Sequence, residues 1–170
     1  MAKTGSASTT NRENGFLDAI KKFPNIQVVS DNQYAGATAE SAFQKSENML
    51  APLRAADGAL NIDGIFCPNE SSTYGMLQAL QSSKQAGKVK FIGFDSSPKL
   101  VDALKAGEID ALVVQNPMKM GYIGVRTVLE AQRGSAEKEV DTESTLVTKA
   151  NMEQPEVKEL LNPPLEQYLK

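Results

Sequence analysis

Short apolar runs alternate with amphipathic stretches along this chain, and the runs end in polar loops. Ile26–Val29, Ile62–Phe66, Val89–Phe94, Ala111–Val114 and Thr145–Thr148 have the length and β-branched or apolar content of strands. Between them lie helical patterns. Residues 9–23 place Phe16, Leu17, Ile20 and Phe23 on one face, until Pro24-Asn25 breaks the pattern. Residues 38–54 carry the stripe Ala39, Ala42, Phe43, Met49, Leu50 and Leu53, with Thr38 suited to be its N-cap. Further stripes are Tyr74, Met76, Leu77 and Leu80; Leu100, Val101 and Leu104; and Met120, Ile123, Val125, Val128 and Leu129. Pro98 suits a first helical turn, Gly107 and Gly134 suit helix ends, and Pro155 opens a short last helix. Repeated βα units of this length predict an α/β fold: a mostly parallel sheet with helices on both faces.

The totals remove several function classes. The chain has 170 residues, enough for one domain that buries roughly 70% of its unfolded surface. Its 21 acidic and 18 basic residues leave a net charge of −3, a balance that argues against a general grip on nucleic acid, which needs a basic face. No apolar run approaches the ~20 residues of a membrane span, and Met1–Gly5 has no apolar core of a signal peptide. The absence of histidine rules out a His-based triad and His metal ligands. Cys67, the single cysteine, cannot form an internal disulfide, and its place in Ile65-Phe66-Cys67 marks it as a buried small hydrophobe. With no acidic metal cluster, phosphate loop or Gly-x-Ser-x-Gly elbow, the sequence reads as non-enzymatic, with no cofactor and no metal.

The polar loop Gly5–Thr10 runs straight into the first helix, with Arg12 early in it. Backbone N–H groups at such a helix start can hold hydroxyl-rich or anionic ligands. In an α/β sheet a loop of this kind normally follows a buried strand, but Met1-Ala2-Lys3-Thr4 is too short and too polar to be one. The expectation is a fragment that starts within a fold and lacks its first strand.

Ligands of open α/β sheets bind at the carboxyl ends of the strands. The residues found there are Asn69, Asp95 and Gln115, and Arg12 joins them from the first loop and helix. One guanidinium, one carboxylate and two carboxamides offer both donors and acceptors, which a polyhydroxylated ligand needs. An Asp can accept from two vicinal hydroxyls, and an Arg can fork onto a ring oxygen and a hydroxyl. Each residue also has a plainer role open to it. Asn69 and Asp95 could be turn formers or helix caps, Gln115 an exposed loop residue, and Arg12 a solvated residue paired with Glu13 or Asp18. Glu70, Ser71 and Ser72 read as caps of the following helix rather than ligand contacts.

Four segments occur in order: Gly5–Phe16 with Arg12 three residues before Gly15-Phe16; Asp63-Gly64-Ile65-Phe66 followed by Asn69; Gly93-Phe94-Asp95; and Val113-Val114-Gln115-Asn116-Pro117. Together they resemble the C-terminal lobe of a type I periplasmic sugar-binding protein of the ribose-binding-like branch, over nearly the whole chain. The resemblance implies one of two α/β lobes that close on a monosaccharide, ribose-like or related, and are then read by an ABC permease. It also implies that Arg12, Asn69, Asp95 and Gln115 contact the sugar, with Tyr34 the nearest candidate for an aromatic contact. It divides the chain into a sugar-binding lobe over 1–116, a hinge-crossing helix over 117–143 that would pack on the other lobe, and a return strand with the tail over 144–170. The whole protein would be periplasmic or extracellular. The alternative is the effector-binding domain of a lac-repressor-family regulator, which shares the two-lobe fold but carries a DNA-binding head not present here. A lone lobe of this kind is expected to expose the stripe of its 118–133 helix and unpaired sheet edges, to be poorly stable or to form a homodimer through that helix, and to bind sugar weakly.

Overall fold

In the computed structural model, which describes residues 6–135 and 139–167, one sheet carries the core. Its strands are β1 (Gly64–Phe66), β2 (Lys90–Phe94), β3 (Ala111–Gln115) and β4 (Ser144–Thr148), in that spatial order. β1, β2 and β3 run parallel and β4 returns antiparallel to β3, so the predicted mostly parallel α/β sheet is present. The helices are α1 (Ala7–Ile20), α2 (Ala39–Leu50), α3 (Glu70–Ser82), α4 (Pro98–Ala106), α5 (Pro117–Gln132) and α6 (Pro155–Leu161).

Local chemistry sets the helix ends. Thr38 caps α2 by accepting from the Ser41 N–H, and Ser41 answers from its own hydroxyl, which forms a capping box. Pro98 opens α4, and Gly107 ends it at φ 79°, a left-handed conformation that favours glycine. The core is continuous through the sheet. Phe91 and Leu112 are fully buried beneath Met76, Leu77 and Leu80 of α3 and Leu100 and Leu104 of α4. Cys67 belongs to this cluster, fully buried as expected, and burial pushes its thiol pKa up to about 11. α2 and α3 cross closely at Gly75, where an added Cβ would stand 2.5 Å from Ala42 Cβ and 2.6 Å from the Phe43 nitrogen.

Two expectations need correction. Ile26–Val29 is not a strand: it pairs with nothing in the sheet, and Ile26, Val28 and Val29 are exposed. Its β-branched residues favour an extended chain, but a strand exists only where a neighbouring strand takes its hydrogen bonds. The apolar stripe of the first helix is not buried either. Of α1, only Thr9 is buried, and Phe23 beyond its end is 58% exposed. The expectation for Met1–Thr4 falls outside the described residues.

Candidate ligand-binding site

Because β1, β2 and β3 are parallel, their carboxyl ends lie along one rim of the sheet, and the three strand-end candidates follow from that. Asn69 stands just after β1, Asp95 directly follows β2, and Gln115 is the last residue of β3. Arg12 reaches this rim from α1. Its Nη2 donates to Gln115 Oε1 at 2.7 Å, and its Nη1 donates to the Pro68 carbonyl, next to Asn69, at 3.0 Å. The Arg12 Cζ lies over the Phe94 ring, 3.8 Å from its centroid. All four candidates are half-buried, so each keeps an accessible side.

The plainer role holds for one of them as well. Asn69 caps α3, its Oδ1 accepting from the Ser72 N–H at 3.1 Å, and the Ser72 hydroxyl turns back onto the same residue. That use engages the carboxamide oxygen and leaves the nitrogen as the group still able to donate. Arg12 pairs with neither Glu13 nor Asp18; Asp18 is held instead by Lys21.

Asp95 is placed by its backbone. Its N–H donates to Val113 O at 2.9 Å, and its φ of 68° puts a non-glycine residue in the left-handed region, which Asp tolerates better than most. Thr73 braces this turn from α3. Its buried hydroxyl donates to Asn69 O at 2.8 Å and accepts from the Phe94 N–H at 3.0 Å, tying the ends of β1 and β2 together. Gly93 makes the approach possible, since a Cβ there would lie 2.3 Å from Thr73 Cγ2.

Burial raises the Asp95 carboxyl above its usual range. The Arg12 charge and the Glu70 N–H pull it partly back, while the Glu70 carboxylate pushes it up again. A carboxyl whose folded pKa exceeds its unfolded one adds stability in acid, and that contribution is lost as pH rises through the folded value. Asp95→Asn is therefore expected to raise the urea midpoint slightly at neutral pH. The gain should disappear below the ordinary Asp pKa of about 3.9. A midpoint that falls at neutral pH would show that Asp95 stabilises the fold rather than burdening it.

Sequence reasoning missed the parts that hold the site together: Phe94, Thr73 and the Pro68 carbonyl. The available signal was the aromatic residue directly before a strand-end carboxylate. Tyr34 is 54% exposed and lines an open depression with Ser41, Gln44, Lys45 and Asn48, none of them among the four candidates.

Comparison with known proteins places the fold in a family. Residues 1–136 match the family described as the periplasmic binding protein domain. The D-allose-binding periplasmic protein of Escherichia coli is 31% identical over 131 residues, 77% of this chain and 40% of that protein. The ribose import binding protein of Haemophilus influenzae is 30% identical over 142 residues, 81% of this chain and 44% of that protein. Among solved structures, a carbohydrate transporter solute-binding protein from Agrobacterium radiobacter, in complex with D-arabinose, superposes with a TM-score of 0.84 at 38% identity. That match covers 95% of this chain and 53% of the other. An ABC transporter solute-binding protein from Agrobacterium vitis with bound D-fucose gives 0.79 at 34% identity, covering 91% and 51%. The chain thus spans about half the length of the relatives it matches. These relatives are described as binding or transport proteins and none as an enzyme, in line with the non-enzymatic reading. Among the described residues no helix is long and apolar enough to cross a membrane. With a matching family domain over residues 1–136 and the mostly parallel α/β sheet described above, this chain is a member of the periplasmic binding protein domain family.

Proposed function

We propose that this chain forms one wall of a monosaccharide site in the solute-binding component of an ABC sugar transporter. The observation that supports the reading most is the half-buried Arg12 guanidinium, held by Gln115 and Pro68 beside Asp95. In this reading Arg12 donates to the sugar ring oxygen and a hydroxyl, Asp95 accepts from vicinal hydroxyls, and Asn69 and Gln115 complete the pattern. The other wall belongs to a second lobe that closes over the ligand, and the closed protein is recognised by a membrane permease from the periplasmic side.

One wall alone binds weakly. A micromolar site is worth about −8 kcal/mol, and each lost hydrogen bond to a charged group costs ~1.5–3 kcal/mol. Losing two or three such partners leaves an affinity near millimolar. Titrating the chain with D-allose, D-ribose and D-arabinose, followed by amide shifts, should move signals around residues 12, 69, 95 and 115 only at millimolar sugar. Glycerol serves as the control. Equal shifts with glycerol, or shifts centred elsewhere, would remove the assignment.

In this reading α5 is the segment that packs against the second lobe. Met118, Tyr122, Val125 and Leu129 are exposed along it at spacings of four, three and four residues. At 3.6 residues per turn they form one seam, opposite the side where Ile123 and Thr127 are half-buried. On its own the chain should cover this seam with a second copy. Sedimentation velocity over a rising concentration series is expected to show monomer and dimer, and Val125→Glu to leave monomer alone. A wild-type chain that stays monomeric throughout would refute the self-association.

A further inference from the structure

We infer that Phe94 is the positioning residue of the site: its ring fixes the plane of the Arg12 guanidinium, so that the cation is presented in its binding orientation before any ligand arrives. Its importance for affinity rests on the sugar-site reading above. The positioning itself rests on geometry alone.

Two hydrogen bonds hold Arg12 at its tip, to Gln115 Oε1 and to the Pro68 carbonyl. Both lie within the guanidinium plane and leave the group free to rock about the line joining them. Phe94 supplies the missing constraint from below, 3.8 Å from Cζ to ring centroid. The ring cannot yield, because Phe94 is only 6% exposed and its N–H is tied to Thr73 Oγ1. The face of an aromatic ring attracts a cation, and most strongly where water is excluded. A guanidinium has five N–H donors, so one pinned on two tips and one face still has donors to offer a ligand in a fixed plane. Without the ring, the ligand would have to order Arg12 itself, and that cost would appear as lost affinity. A side chain that is merely core filling would be replaceable by any apolar group of similar size.

The test reads Arg12 directly. Its Nε–Hε signal, identified by its disappearance in Arg12→Lys, is expected upfield in the wild-type chain because it lies over the ring, with cross-relaxation to the Phe94 ring protons. Phe94→Leu should abolish the upfield displacement and weaken binding of D-allose or D-ribose about 3- to 10-fold. Phe94→Tyr, which keeps the ring, should retain both. If Phe94→Leu does not fold, the wild-type cross-relaxation decides alone, and its absence overturns the proposal. An Arg12 signal unmoved by Phe94→Leu overturns it too. Failure of the sugar reading looks different: the upfield signal and the cross-relaxation are present in the free chain, yet neither sugar perturbs Arg12. In that outcome the positioning stands and the ligand class falls.

Discussion

Replacing Gly75 with alanine is expected to cost ~3 kcal/mol, the upper end of the range for overpacking a core. The new methyl would lie 2.5 Å from Ala42 Cβ and, worse, 2.6 and 2.7 Å from the backbone atoms Phe43 N and Ala42 C. A side chain can turn away from such a contact, but a helix backbone cannot, so α2 as a whole must move. That movement loosens Leu50 of α2, which is fully buried in the core. Against a total stability of 5–15 kcal/mol, the loss is severe. Gly121→Ala provides the contrast. It sits in the exposed α5, where an added Cβ meets nothing within 4 Å, and alanine there should add ~0.5–1 kcal/mol by helix propensity. Urea denaturation of the two variants should move the midpoint in opposite directions. Similar shifts in both would mean that the α2–α3 crossing is not as tight as the structure has it.

Arg12→Ala is expected to have the other large effect, on binding and on one element of the fold. It removes two hydrogen bonds from a charged donor, each worth ~1.5–3 kcal/mol in a buried setting and less at this half-buried rim. α1 has little else to hold it: a stack of Phe16 on Phe66, with ring centroids 4.5 Å apart, and the buried Thr9. Hydrogen exchange in α1 should therefore quicken by about tenfold or more, while β2 and β3 keep their protection. Sugar affinity should fall beyond the millimolar range in the same variant. Arg12→Lys keeps the charge but cannot span Gln115 and Pro68 together, so it should recover only part of either effect. If α1 amides exchange at the wild-type rate in Arg12→Ala, the helix is anchored by something other than this arginine.

The sheet was legible in the sequence because its strands satisfy each other. Val89–Phe94 and Ala111–Val114 are apolar enough to be covered on both faces, and the structure extends or trims them by one residue. Ile26–Val29 carried a similar local signal and failed, since strand propensity cannot supply a neighbour for its N–H and C=O groups. The same reasoning overrated the stripe of α1. Phe16, Leu17, Ile20 and Phe23 share a face, but a periodic stripe reports what a helix could bury, and here Phe16, Leu17 and Ile20 are only half-buried and Phe23 is exposed. At the site, the strand-end rule found the residues whose side chains gather. It could not find Phe94 or Thr73, because their contribution depends on a contact between α1 and β2 and another between α3 and β2 that no local pattern encodes.

Asn69, Asp95 and Gln115 each follow or close a strand, and neighbouring strands are spaced by their hydrogen bonds at about 4.8 Å. The ladder therefore acts as a ruler, and the three side chains are its graduations. Changing one of them alters reach and polarity at a single mark without moving the others. Under the proposed sugar reading, such a fold would exchange one polyol for another by editing tips alone, while the spacing between contacts stays fixed by peptide groups that no substitution can lengthen.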